Sequence, residues 1–218
     1  AQLSRGLGDV YKRQRQRRRR RRRGGKDPLA QSFTVDESGA FLTSVDLFFS
    51  SKDENEKLFV EIREVELGTP TNRVMADGQA RAVLYPSDIT ISTDASVATN
   101  VKFPSPVYLQ AGREYALVLL APTTNNYEVW IAQMGERTVN GQNLPDAEAV
   151  MVTRQYIGGS LFKSQNGTIW TASQFEDMKF KLYKANFIPT AGTAFFYNPS
   201  LEATNENLPK LQPDAIKI

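Results

Sequence analysis

The chain contains no cysteine and no histidine, and that bounds its chemistry before any motif is sought. Ser-His-Asp and Cys-His catalysis need an imidazole, and thiol redox chemistry needs sulfur. Zinc sites of the usual kind need Cys or His ligands. What remains is the chemistry of carboxylates and aromatic rings. Glu176-Asp177 is one candidate for acid–base work, but adjacent strand residues point to opposite faces, so the two do not share a site. Asp46, Glu61 and Glu114 fall on outward strand positions and read as solvated. A glycoside hydrolase would need two carboxylates roughly 5–9.5 Å apart, and no acidic residues are spaced for it. Tyr127, Trp130, Tyr156 and Trp170 could form a stacking platform for sugar rings. Core packing and rim anchoring are the commoner uses of such residues, and Tyr127 and Trp130, three apart, face opposite ways on a strand. Gly158-Gly159 lacks the Lys-Ser/Thr and the helix of a phosphate loop. Asp88 and Asp94 are loop carboxylates that calcium could use, but they lack the spacing of a ligand loop. No catalytic, cofactor or metal residue is therefore assigned, and no enzyme activity is expected.

The elements that would position such residues read as antiparallel strands. The fullest stretch is Val101–Trp130. Val101 and Phe103 alternate with polar residues, and Pro104 and Pro106 break any ladder to form a pinned loop. Ala111-Gly112 turns the chain into the apolar strand Glu114–Leu120, Asn125-Asn126 turns it again, and Tyr127, Val129 and Ile131 alternate. Earlier, Leu29–Val35 and Phe41–Ser50 are strands, with Glu37-Ser38-Gly39 turning between them. Leu58–Val65 returns from a charged tip at Lys52–Glu56, with Leu58, Val60 and Ile62 inward and Phe48 and Phe59 outward. Leu67–Gln79 carries Gly, Pro and Asn and reads as a loop. Ala80–Tyr85 is a short strand, with one helical turn expected at Ser87–Ile89. Gly135–Arg154 has no period and reads as a surface excursion. Gly158-Gly159 suits a bulge or a close backbone approach, Asn166-Gly167 a tight turn, and Met178, Phe180 and Leu182 the last strand. About eight to ten short strands without a capped helix fit an all-β, antiparallel β-sandwich of jelly-roll type.

Length and charge divide the chain. Its 218 residues, 40% of them hydrophobic, support one core and a small appendage. No run approaches the roughly 20 apolar residues of a membrane helix. The net charge of +3 hides two opposite parts. Residues 1–26 hold twelve basic residues and one acid, a charge of +11, and the rest holds fifteen basic and twenty-three acidic, a charge of −8. Seven consecutive arginines, Arg17 through Arg23, repel one another, so residues 1–26 are expected to form a disordered basic tail. It reads either as a nucleic-acid arm or as a solvated tail. A third reading is that it is not native. Residues 4–14, SRGLGDVYKRQ, resemble a translated sequencing adapter found at the ends of environmental assemblies, and Ala1 is not a start Met, which fits a broken reading frame. Residues 27–187 then form the sandwich module, and 188–218 a linker and the loosely packed start of a following, truncated module.

Several segments in one order carry a resemblance. They are DPLAQSF (27–33), FLTSVDLFFSSKD (41–53), SPVYLQAGREYALVLLAP (105–122), VWIAQMGE (129–136) and YIGGSLFKSQNGTIWTASQFEDMKFKLYKANF (156–187), with FYNPSL (196–201) where a next module would begin. Together they resemble a module repeated in large virion structural proteins of contractile-tailed phages, marine cyanophages in particular. The resemblance implies a β-sandwich placed in the virion, in the tail or baseplate, with other virion proteins or further copies of itself as partners. It carries no catalytic residue. The pattern is shared more loosely with jelly-roll modules of secreted carbohydrate-binding proteins. A host-surface glycan-binding module is therefore the alternative expectation. Nucleic acid enters as a partner only if the arginine tail is genuine.

Overall fold

The computed structural model describes residues 2–5, 12–13, 27–36, 38–139 and 150–187. The chain divides into two compact units, Ala1–Asn186 and Phe187–Ile218, and all but Phe187 of the described residues belong to the first. Fifteen strands run in order: β1 (Gln2–Arg5), β2 (Lys12–Arg13), β3 (Leu29–Thr34), β4 (Ala40–Leu47), β5 (Phe49–Ser51), β6 (Leu58–Glu66), β7 (Thr69–Val74), β8 (Arg81–Leu84), β9 (Thr99–Leu109), β10 (Glu114–Leu120), β11 (Glu128–Gln133), β12 (Leu161–Ser164), β13 (Trp170–Ser173), β14 (Glu176–Met178) and β15 (Phe180–Lys184). Helical turns include the 3₁₀ segments at Ala76–Gly78 and Pro86–Asp88. Every pairing between strands is antiparallel. The fold is all-β and sandwich-like, built of antiparallel sheets.

One sheet has the order β13-β12-β3-β10-β6, and β7 and β8 share the far edge of β6. A second sheet runs β1-β15-β4-β9, and a third runs β14-β11-β2 with β5 also paired to β11. The strand count exceeds the expected eight to ten because two strands are interrupted and because β1, β2 and β7 lie in segments read as tail or loop. β4 and β5 are parted by Phe48, and β14 and β15 by Lys179. Between the sheets lies one apolar core. Phe33, Val60, Ile62 and Leu117 come from the first sheet, and Val45, Leu47, Val101, Leu109, Phe180 and Leu182 from the second. Period-2 alternation sends these residues inward, and burying each large apolar side chain stabilises the fold by about 1.5–3 kcal/mol.

Of the arginine-rich tail, only β1 and β2 are described, and they lie against β15 and β11. The remainder of the tail, residues 140–149 of the excursion, and the extension from 188 onward lie outside the described residues.

Three local expectations are corrected. Leu67–Gln79 is not a loop throughout: Leu67-Gly68 is a two-residue turn, and β7 pairs with β6 through Val65–Pro70 and Arg63–Val74. Pro104 and Pro106 do not end a strand. β9 runs through them, and its ladder with β4 passes from Lys102 to Val107 opposite Ser44 and Leu42. A bulge on the edge strand of a sheet asks for no proline N–H. The excursion, finally, is paired where it leaves and rejoins the sandwich. Thr138 N–H donates to Val150 O and Val152 N–H to Glu136 O, both at 2.9 Å.

The Gly158-Gly159 pair meets a physical limit. A Cβ on Gly159 would stand 2.0 Å from the Ser32 carbonyl oxygen, whereas one on Gly158 would meet only the ring of Tyr156. Backbone here passes against backbone, so that Ser32 N–H can donate to Ser160 O at 2.9 Å. Gly159→Ala should therefore lower stability by about 3 kcal/mol or more, and Gly158→Ala by less, since Tyr156 can swing away. Urea unfolding midpoints of the two variants check the order.

Candidate functional site

The carboxylates read from the sequence are held one by one, each by structural bonds. Asp177 points between the sheets and is 3% exposed. Gln31 Nε2 donates to its Oδ1 at 3.1 Å and Tyr156 N–H to its Oδ2 at 3.2 Å. The Oε1 of the same Gln31 accepts from Met178 N–H at 2.8 Å, so one buried amide ties β3 to β14. Burial raises the Asp177 carboxyl above its ordinary 3.8, although the bonds from Gln31 and Tyr156 pull it down. Glu176 turns the other way, to Lys163 and Ser173. The two neighbours do not share a site, as alternation requires.

Asp46 and Glu61 correct the expectation of solvated faces, being 7% and 3% exposed. Asp46 accepts from Asn100 Nδ2 at 2.8 Å and from the Tyr183 hydroxyl at 2.6 Å, and the Asp46 bond raises the Tyr183 phenol. Glu61 sits between two arginines, Arg63 at 2.7 Å and Arg81 at 3.0 Å. Arg63 is itself 7% exposed, and its guanidinium also reaches Thr71 O, Asn72 Oδ1 and Gly167 O. A buried charge is tolerated only when so enclosed. Glu114 is half-buried at the start of β10.

Alternation alone could not reveal the burial of Glu61, because the outer face of the sheet that holds β6 is covered. The β12–β13 hairpin folds over it, and Ala30, Ala116, Val118, Phe162 and Trp170 form a second core there. Phe48, predicted outward, is in a third cluster with Ala95 and Trp130. Phe59 is half-buried beneath the guanidinium of Arg81, 4.3 Å from the ring centre.

The four aromatics of the supposed sugar platform are dispersed. Trp130 belongs to the third cluster and Trp170 to the second, while Tyr127 and Tyr156 pack against the main core. Asp88 and Asp94 accept turn hydrogen bonds from Tyr85 N–H and Ser96 N–H, both at 3.0 Å. Among the described residues no cluster of three or more acidic residues is placed to hold a metal, and no helix is long and apolar enough to cross a membrane.

A recess and a groove lie at the end of the sandwich where β3 and β6 begin. The β5–β6 tip is clamped there by Asp53, which the charged-tip reading had left without a role. Its carboxylate accepts from Asn55 and Glu56 N–H, from Thr124 Oγ1 at 2.6 Å and from Asn126 Nδ2 at 2.7 Å. These bonds, Thr124 foremost, hold the group far below the ordinary carboxylate range. The sequence signal for it was an Asp two and three residues before free backbone N–H groups in a turn. Beside the clamp an apolar recess of about 40 Å³ opens between the sheets, lined by Leu29, Phe49, Leu58, Leu119, Tyr127 and Val129 among others. Next to it, along Asp27–Leu29, an open groove of about 530 Å³ is edged by Lys163, Gln165, Asn166, Ile169 and Thr171.

No known protein family matches the chain, and no curated protein matches its sequence.

Asp177 carries a prediction with a definite sign. Its folded pKa lies above 3.8, so between the two values the folded state holds more proton than the unfolded one, and stability falls as pH rises through that window. Asp177→Asn removes the titration but turns an amide NH2 toward one of the two donors, so the variant's Tm relative to the wild type should be lowest below pH 3.8 and should rise as the pH passes upward through that window. Differential scanning fluorimetry of the two proteins across pH 3–8 measures it.

Proposed function

We propose that the chain is a non-enzymatic virion structural module of a phage tail or baseplate that works through protein–protein contacts. The observation that carries this reading is where its reactive and stacking groups lie. The buried carboxylates and both tryptophans are consumed inside the module, while large apolar side chains stand in solvent. Leu67 and Ile157 are fully exposed, and Ile169, Phe175 and Tyr108 are more than half exposed. Apolar residues left outside while acids are held inside suit a surface meant to be covered. The sequence resemblance over residues 27–187 supports the same reading. A cysteine-free, antiparallel body needs neither oxidation nor cofactor to stand.

Glycan binding is the second reading, and the groove beside Asp27 is what favours it. Its amide, hydroxyl and amino side chains are of the kind that hydrogen-bond sugar hydroxyls, but no aromatic ring lines it.

Two measurements separate the readings. Immunogold labelling of marine virus concentrates with antibody to this chain should place gold on contractile tails, and labelling of heads alone would sink the assignment. A glycan array probed with the purified chain should give no saccharide hit, and a hit abolished by Asn166→Ala would move the function to receptor binding.

A further inference from the structure

The turn between β6 and β7 holds an unexpected residue. Leu67 and Gly68 both have left-handed backbones, φ 50° and 73°, as a two-residue hairpin turn demands. Asn, Asp and Gly take these positions readily, while a leucine crowds its own backbone there. Its side chain also stands entirely in solvent, so no contact within the described chain offsets the strain. Strain kept at an exposed apolar residue points outward, to a contact.

The opposite end of the same strand offers the complement. Leu58, the first residue of β6, lines the apolar recess with Leu29, Phe49, Leu119 and Tyr127. The recess, about 40 Å³, has room for two or three water molecules or for the tip of an aliphatic side chain. Knob and recess are thus separated by the length of β6, about 30 Å.

The charges agree. Tyr115 lies opposite Glu64, so Arg113, two residues earlier, comes out beside Glu66 and the knob. Arg113 is exposed and forms no ion pair among the described residues. Asp27 lines the recess, exposed and likewise without a cation.

We propose that Leu67 of one copy seats in the Leu29–Leu58–Tyr127 recess of a second copy, with Arg113 facing Asp27, so that the modules join head to tail. Such a contact uses two different patches and builds rings or open rows, not closed pairs. The inference rests on the assembly reading above and names the partner as the chain itself.

Sedimentation velocity of the full chain over a concentration series tests it. The chain should associate progressively. Leu67→Asn should weaken association at least tenfold while raising Tm, because Asn accepts the left-handed backbone. A variant that merely relieved strain would raise Tm and leave association intact. Ala121→Phe, which fills the recess from its wall, should weaken association equally. Arg113→Glu should weaken it, and adding Asp27→Lys to the same chain should restore it, which keeps the test decisive if the filled recess misfolds. A chain that stays monomeric, or association lost in only one of the knob and recess variants, overturns the head-to-tail contact. A monomer that still labels phage tails leaves the assembly reading standing, whereas a chain that labels no tails removes that reading even if it self-associates.

Discussion

The second sheet depends on how two strands part. β4 and β15 pair as far as Leu47 and Phe180, and beyond them the chains diverge. The backbone groups of Phe48 and Lys179 then need new partners, since buried peptide groups are not left unpaired. Trp130 supplies both. Its N–H donates to Phe48 O at 2.9 Å, and its carbonyl accepts from Lys179 N–H at 3.0 Å. β11 therefore crosses the fork, with its first half on β5 and its second half on β14. The indole that comes with it fills the space left by the divergence, and its Nε1 donates to Ser92 O. Lys179 lies over the Phe48 ring at 4.2 Å and donates to Ala95 O at 3.0 Å. A backbone requirement thus creates the third cluster and buries a phenylalanine that alternation had sent outward.

The first sheet solves the opposite problem. Its outer face carries alanines and valine, Ala30, Ala116 and Val118, too small to shield the sheet themselves. The β12–β13 hairpin bends back over them, and its turn oxygen at Gly167 receives Arg63 at 3.4 Å. That cover is what permits the Glu61 ion pairs, because a charge taken from water must find all its partners nearby. The sandwich is therefore closed on a face that such sheets often leave wet. Solvent reaches the outer row of β9, where Asn100, Lys102 and Tyr108 are exposed, and the ends of the module, where the strained turn and the recess are found.

Asp46, Glu61, Asp177 and both indoles are held inside by structural contacts, and the main core is continuous between the sheets. Gln31 and Asp53 contribute by pinning one sheet to the other and one loop to the next.

The all-β class, the inward rows and the tight turns were legible in the sequence, because each depends on residues near in the chain. Val45 and Leu47, Leu58 through Ile62, and Phe180 and Leu182 alternate, and alternation alone decides a face once one side is buried. Gly112 and Gly167 marked turns for the same local reason, and Gly159 marked a close approach whose partner, Ser32, the sequence did not identify. What only the tertiary structure decided are the second layers. Asp46, Phe48 and Glu61 sit on positions that are outward by period, yet each is buried against partners that alternation does not name. Asn100 and Tyr183 cover the first, Trp130 the second, and Arg63 and Arg81 enclose the third. β7 was hidden by Gly, Pro and Asn signals that are true of its turns but not of its ladder, which forms because β6 leaves an edge to pair. Alternation says which side of a strand a residue is on, and only packing says what lies on that side.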